Sequence, residues 1–446
     1  MKKAFFTTLA LTMCIVQLFA QKVKHPEWAK NAVIYEVNVR QFSPEGTFEQ
    51  VTKDLPRLKK LGVDIIWLMP IHPIGSEKRK GTLGSYYAVK DYEAVNPEFG
   101  NVDDFKKLVK TAHKNNLKVI LDWVPNHTAW DNIWFKPYPD YYERNEKGDF
   151  YSPFDWSDVV SLNYKSQTMR EDMIKALKFW IKECDIDGYR MDVAAEVPDN
   201  FWEEVYPQLN KIKPVFMLAE AERKEHISYF DAYYGWDFLK KINQIAAGQT
   251  TANALDTFYT KHNTKYPASF WSMNFTTNHD ENSWNGTEYE RMKAGAKTFA
   301  VLTFTVPGIP LIYTGQESAF NRRLAFFEKD QIDWGSYELT SFYKTLTDAK
   351  HKNVALWNGE LGGRITKIAN TTEKAVYAFT REKDGNKVVV ILNLTDKAQK
   401  TKLKGSTFTG DYKDIFSENK KEITALKPNQ TFELGAWEYK VLVKEN

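Results

Sequence analysis

From about residue 30 onward, short apolar runs alternate with stretches whose apolar residues recur at helical spacing. The runs Ala32–Val39, Val63–Met69, Leu117–Val124, Asp187–Val193, Val215–Glu220, Ala232–Tyr234, Ser269–Thr276 and Ile309–Tyr313 predict strands. Between them, Phe48–Leu61, Val102–Asn115, Met169–Glu183, Phe201–Ile212 and Arg291–Phe304 predict amphipathic helices. Strand followed by helix, with eight strands in all, is the pattern of an α/β protein built as a closed (β/α)8 TIM barrel. The competing arrangement is an open doubly wound sheet, but no G-x-G-x-x-G follows the first strand. Two connections are long. One runs from Ile71 to Gly100 after the second strand. The other runs from Thr128 to Asn163 after the third and reads as a short inserted subdomain dense in Trp, Tyr, Phe and Pro.

Beyond about Asn353 the helical spacing gives way to alternating runs at Ala375–Thr380, Lys387–Leu394, Thr407–Asp411 and Phe432–Val443. Turn residues such as Asp384-Gly385-Asn386 separate them, so residues 353–446 are expected to form a C-terminal antiparallel β-sandwich and 21–352 the barrel. At the other end, Lys2 and Lys3 precede an apolar run from Ala4 to Phe19 that closes on Ala20-Gln21, the form of a signal peptide cleaved after Ala20. The run is shorter than the roughly 20 residues a membrane span needs. The mature chain is therefore expected to be exported, periplasmic or secreted, with no membrane partner.

Composition narrows the class. With 61 basic and 58 acidic residues the formal net charge is +3, too balanced for an electrostatic nucleic-acid binder. Two cysteines exclude a disulfide-stapled scaffold and most cysteine-ligated metal sites. The 28 Phe, 23 Tyr and 14 Trp supply either a large core or, more pointedly, a surface that stacks on flat amphipathic ligands such as sugars. Nothing in the pattern constrains the oligomeric state.

Barrel enzymes place their chemistry at the carboxyl ends of the strands, and four strands here end in polar residues where apolar ones would continue the run. Val119-Ile120-Leu121 leads to Asp122, Asn126 and His127; Gly188-Tyr189 leads to Arg190 and Asp192; Phe216-Met217-Leu218-Ala219 leads to Glu220; and Phe275-Thr276-Thr277 leads to Asn278-His279-Asp280. Any one of these has an ordinary explanation as a helix cap or a hydrogen-bonded structural pair. Four converging on one mouth do not. Several carboxylates in one mouth suit glycoside chemistry, which needs a nucleophile or base and an acid, or else a divalent cation. Trp123, Trp130, Trp134, Tyr138 and Trp156 favour the sugar.

At these residues the chain resembles the α-amylase family, glycoside hydrolase family 13, whose members are retaining α-glucoside hydrolases and transglycosylases. Asp122-Trp-Val-Pro-Asn126-His127 is similar to the family's D-x-x-x-N-H, Gly188-Tyr-Arg190-Met-Asp192 to G-[FY]-R-x-D, Phe216-Met-Leu-Ala-Glu220 to the acid-bearing strand, and Phe275-Thr-Thr-Asn278-His279-Asp280 to x-x-N-H-D. Gly84-Ser-Tyr-Tyr87, Asn96-Pro-Glu-Phe-Gly100 and Val306-Pro-Gly-Ile-Pro310 add to an ordered set over about residues 30 to 340. The resemblance implies that Asp192 is the nucleophile, Glu220 the acid and base, and Asp280 the stabiliser of the distorted sugar. It implies that Arg190 keeps Asp192 ionised, that His127 and His279 bind sugar hydroxyls, that Asp122 supports them, and that Tyr87 stacks beneath the ring.

Two features differ from the family pattern. Val193-Ala194-Ala195-Glu196 stands where many members carry Lys-His on the leaving side, and Gln41-Phe-Ser-Pro-Glu-Gly46 lacks an Asp/Asn cluster. Asn126 matches one calcium ligand of the family, with Asp155 and Asp158 as acidic candidates, so a structural calcium stays open while no cofactor is required for the chemistry. The expected activity is hydrolysis of α-1,4 bonds in starch or maltooligosaccharides by double displacement. A cyclomaltodextrinase, a neopullulanase or a glucan transferase shares the same motifs, and a non-catalytic glucan-binding protein is the alternative from a different class.

Overall fold

The computed structural model describes residues 23–419 and 422–444; the expected signal peptide, residues 1–20, lies outside them. In chain order the strands of the first part are β1 Ile34–Val37, β2 Ile65–Leu68, β3 Lys118–Trp123, β4 His127–Ala129, β5 Val159–Ser161, β6 Gly188–Met191, β7 Phe216–Ala219, β8 Ala232–Tyr234, β9 Trp271–Asn274 and β10 Ile309–Tyr313. Eight of them close a parallel barrel in the order β1-β2-β3-β6-β7-β8-β9-β10, with β10 returning to β1. The expected TIM barrel is thus present. β4 and β5 pair antiparallel within the insertion that follows β3.

The barrel strands are short and buried on both faces, as a parallel sheet sheathed by helices requires. Helices close over them through apolar stripes. In Val102–Lys114 the residues Phe105, Leu108, Val109 and Ala112 face inward, and the Asn101 side chain accepts from the Asp103 and Asp104 N–H groups while Asp104 returns the favour to Asn101. The glycine of the G-[FY]-R-x-D run also has a packing cause. A Cβ on Gly188 would sit 2.0 Å from the Phe216 carbonyl oxygen, so β6 and β7 can pair here only if residue 188 has no side chain.

Some boundaries differ from the sequence pattern. Arg291–Phe304, expected as one helix, is two, Glu288–Met292 and Ala296–Thr305, because Lys293 turns to φ 53° and a single 3-10 turn ends at Gly295. Helices Trp236–Ala246, Ala254–Lys265 and Thr340–Lys352 were not singled out by the pattern.

The C-terminal domain is antiparallel, as expected. Its six-stranded sheet runs Ile365–Lys367, Val376–Lys383, Asn386–Asn393, Tyr439–Lys444, Gly410–Asp414, Thr424–Leu426, beside a pair formed by Gln399–Lys402 and Thr431–Leu434. The strand expected at Thr407–Asp411 starts later, at Gly410, and Phe432–Val443 is two strands broken where Trp437 takes φ 56°. Alternation divides the sheet's faces: Tyr377, Phe379, Val388, Val390 and Leu392 join the barrel core, while Val376, Ala378, Val389 and Ile391 join a second core on the far side. Trp437 belongs to the joint, its ring against Gly295 and Phe299 and its carbonyl accepting from the Thr298 hydroxyl. Among the described residues no helix is long and apolar enough to cross a membrane.

Candidate active site

Parallel pairing sets Asp122 of β3 opposite Arg190 of β6, and Arg190 becomes the centre of the barrel mouth. Its Nη1 donates to Asp122 Oδ1 and to Asp192 Oδ1, each at 2.8 Å, and its Nε donates to the Tyr234 hydroxyl at 3.1 Å. Its Nη2 lies 3.0 Å from Glu220 Oε2. Glu220 Oε2 also accepts the Val193 N–H at 2.8 Å, which fixes the carboxylate against the residue after Asp192. Three carboxylates therefore flank one buried guanidinium.

That ratio decides the electrostatics. Burial pushes Asp122 up to about 6, with Arg190 pulling it back. Burial likewise pushes Asp192 upward, opposed first by Arg190 and reinforced by Glu220 and Asp122. Arg190 thus favours the ionised Asp192 but does not bring it below the usual carboxylate range, because burial outweighs a guanidinium that three acids share.

A second chain of contacts leads from Asp122 to the opposite wall. The Tyr87 hydroxyl donates to Asp122 Oδ2 at 3.1 Å and lies 2.7 Å from His279 Nε2, with the two rings stacked. His279 Nε2 is also 3.2 Å from Asp280 Oδ2, and its Nδ1 is 2.5 Å from Glu36 Oε1. Burial works against a charged imidazole here, but Asp280 and Glu36 overcome it and raise His279 to about 9. The ring is thus a cation at neutral pH, donating from both nitrogens. His127 is the opposite case: burial lowers it to about 3, and the neutral ring packs edge-on to Trp156.

Tyr87, His127, Asp192, Glu220, His279 and Asp280 all line one cleft of about 740 Å³. The structure thus gathers the three acids and three of the expected sugar-binding residues in one cavity, with Asp122 and Arg190 buried beneath its floor. The aromatics expected to line it divide differently. Trp156 does line it, whereas Trp123 is buried in the barrel, Trp130 is covered by Lys78, and Trp134 packs on Tyr92 and Tyr141 within the insertion. Tyr138 stacks on Tyr141, half-exposed. The aromatic wall comes instead from Trp284, Phe326 and Phe327. Glu36 was also missed, although the rule that found the other strand ends applies to it: it is a carboxylate in the apolar run Ile34-Tyr35-Glu36-Val37.

Of the residues considered for calcium, Asp155 lines the cleft. Asn126 turns its amide toward His127 Nδ1 at 3.3 Å, and the buried Asp158 is paired with the Lys80 ammonium at 3.1 Å, where a cation ligand would have to compete. Among the described residues no three His, Cys, Asp or Glu side chains gather in a way that could hold a metal ion.

Comparison with known proteins adds to this geometry. The family model for the α-amylase catalytic domain matches residues 18–159, 141–252 and 204–363, and the model for the α-amylase SusG C-terminal domain matches 376–439. The chain is 29% identical to an "Alpha-amylase 3" of Dictyoglomus thermophilum, over 82% of this chain and 85% of that one. It is 27% identical to a cyclomaltodextrinase from a Bacillus species, over 84% and 75%. A solved structure of a noncanonic maltogenic α-amylase from Thermotoga neapolitana superposes with a TM-score of 0.85 at 30% identity, covering 94% of this chain and 99% of that one.

Proposed function

The chain belongs to the α-amylase family of glycoside hydrolases, and from that premise we propose that it is an exported retaining α-glucan hydrolase cleaving α-1,4 bonds of starch or maltooligosaccharides. The observation that carries this reading is the pair Asp192 and Glu220 held on one guanidinium, facing Asp280 across a single cleft. A retaining mechanism needs its two carboxyl groups about 5–5.5 Å apart, a spacing compatible with two acids bound to adjacent nitrogens of one arginine.

In the proposed first step an Asp192 oxygen attacks the anomeric carbon while the Glu220 proton passes to the leaving oxygen, so one C–O bond forms as another breaks. Arg190 is the group that favours the ionised nucleophile against its burial. In the second step Glu220 takes a proton from water, the water oxygen bonds to the anomeric carbon, and Asp192 leaves. Asp280, His127 and the His279 cation bind hydroxyls of the ring, and Tyr87 lies beneath it. Export rests on the Lys2-Lys3 start and the apolar run to Phe19, and it predicts a mature protein beginning at Gln21.

Glu220→Gln is expected to lower kcat by about 10²–10⁴, and Asp192→Asn at least as far, with the fold unchanged. The first product seen by NMR is expected to be the α-anomer. Near-normal turnover in either variant, or a β-product, would overturn the reading. The cyclomaltodextrinase or neopullulanase alternative draws support from the relative named above and from Val193-Ala194-Ala195-Glu196 on the leaving side. Product profiles on linear, cyclic and branched glucans separate the two.

A further inference from the structure

Immediately after Asp280 the chain makes one wide π-helical turn, Glu281–Asn285, that presents Trp284 to solvent with 53% of its surface exposed. Burying that exposed indole against a ligand would remove apolar surface from water. Its surroundings show that the exposure is held in place. Asn282, buried one turn below, donates from Nδ2 to the Arg322 carbonyl at 3.1 Å and accepts the Leu324 N–H at 2.9 Å. These bonds tie the π-helical turn to the loop carrying Phe326 and Phe327. Trp284 then meets Phe326 at 5.3 Å and Phe327 at 5.9 Å between ring centres.

The three rings continue the site already described. Phe326 stacks nearly parallel to Tyr87, 13° between planes at 6.2 Å, and lies 6.4 Å from the His279 ring. The planes turn further at Trp284, 40° from Phe326. An aromatic path therefore starts under the ring to be cleaved and leads outward along the His279–Asp280 wall. Glu220, which faces the leaving oxygen, is fixed on the other side by Arg190 and the Val193 N–H. The wall built around Tyr87, His279 and Asp280 belongs to the ring that stays on the enzyme.

We propose that Trp284, backed by Phe326 and Phe327, is the stacking platform for the glucose units that precede the cleaved one in the chain, and so sets how many glucosyl units the enzyme needs on its retained side. This rests on the α-glucan reading above. Glucose presents two faces of axial C–H groups, apolar enough to lie on an indole, and an α-1,4 chain curls, which suits rings whose planes rotate along the path. Because the platform is pre-set by Asn282, little ordering is lost when a chain lands on it.

The test compares para-nitrophenyl α-maltotrioside with para-nitrophenyl α-glucoside. Trp284→Ala is expected to lower the ratio of kcat/KM between them by about tenfold or more, and Trp284→Phe to restore at least half of it, since Trp284 is exposed and both variants should fold. An unchanged ratio in Trp284→Ala overturns the proposal while leaving the α-glucan reading standing. Failure of the unmodified protein to cleave either compound, together with no binding of maltoheptaose to Asp192→Asn by calorimetry, overturns both.

Discussion

Glu36 offers the sharpest test of the site's electrostatics. Its carboxylate sits 2.5 Å from His279 Nδ1, both side chains are buried, and His279 keeps 2% of its surface exposed. The groups facing His279 are Glu36 from β1, Asp280 beside it, Tyr87 from the loop after β2 and Arg190 from β6, the last opposing its charge. Folded, the imidazole titrates at about 9; unfolded, it titrates near 6.5. A raised histidine contributes stability that is fully present below the unfolded value and disappears as pH rises through the folded one. The gap corresponds to about 3 kcal/mol lost between pH 6.5 and pH 9. Glu36→Gln keeps an acceptor of the same shape and removes the charge, leaving Asp280 as the sole carboxylate touching the ring. Urea unfolding at pH 6 and pH 9 should then show the fall in stability shrink to about 1 kcal/mol or less. The alkaline limb of kcat/KM should move to lower pH by about one unit or more. A variant whose His279 still titrates near 9 by NMR, or whose stability falls with pH as steeply as before, would refute the assignment of the charge to Glu36.

Two further substitutions probe the scaffold. Arg381 is fully buried at the joint between the domains, donating to the carbonyls of Gly363, Thr305, Val306 and Trp357, and burial lowers it to about 9. Arg381→Met should leave those carbonyls without their donor and cost about 3–5 kcal/mol, read as a lower urea midpoint. Val193 holds a left-handed backbone, φ 45° and ψ 41°, rare for a β-branched residue, and this conformation aims its N–H at Glu220. Val193→Gly keeps the N–H that Glu220 accepts and suits the left-handed backbone, so it should relieve about 1 kcal/mol of strain, leaving Tm equal or higher and kcat within a factor of a few; a clear fall in Tm by calorimetry would refute the strain.

The fold was legible where periodicity is strong. Every barrel strand lies within its apolar run, since strands buried on both faces carry an uninterrupted signal. Ala254–Lys265 escaped notice because its inward side is short, Leu255 with the partly buried Phe258 and Tyr259, in a run otherwise dominated by Thr, Lys, Asn and His. The break at Lys293 was hidden for a different reason: a lysine at positive φ leaves no mark in hydrophobicity. Within the site, the acids were found because a carboxylate interrupts an apolar run. Trp284 and Phe326 were missed because an aromatic in a loop reads the same whether it packs inward or faces a ligand, and only the Asn282 contacts distinguish the two.

Burial pushes both Asp122 and Asp192 upward although Arg190 lies between them. Asp122, Asp192 and Glu220 surround Arg190, while Glu36 and Asp280 lie against His279, so five carboxyl groups share two cations in one mouth. The arrangement is fixed by the barrel register, which sets Asp122 against Arg190, and by the Val193 N–H, which holds Glu220. On the proposed reading the missing positive charge is supplied by the reaction. The oxocarbenium-like sugar develops its charge between Asp192 and Asp280, where fixed carboxylates need no reorganisation to meet it. A neutral glucan in its ground state gains much less from the same groups. On this reading the excess of fixed negative charge is the feature that discriminates the transition state from the substrate.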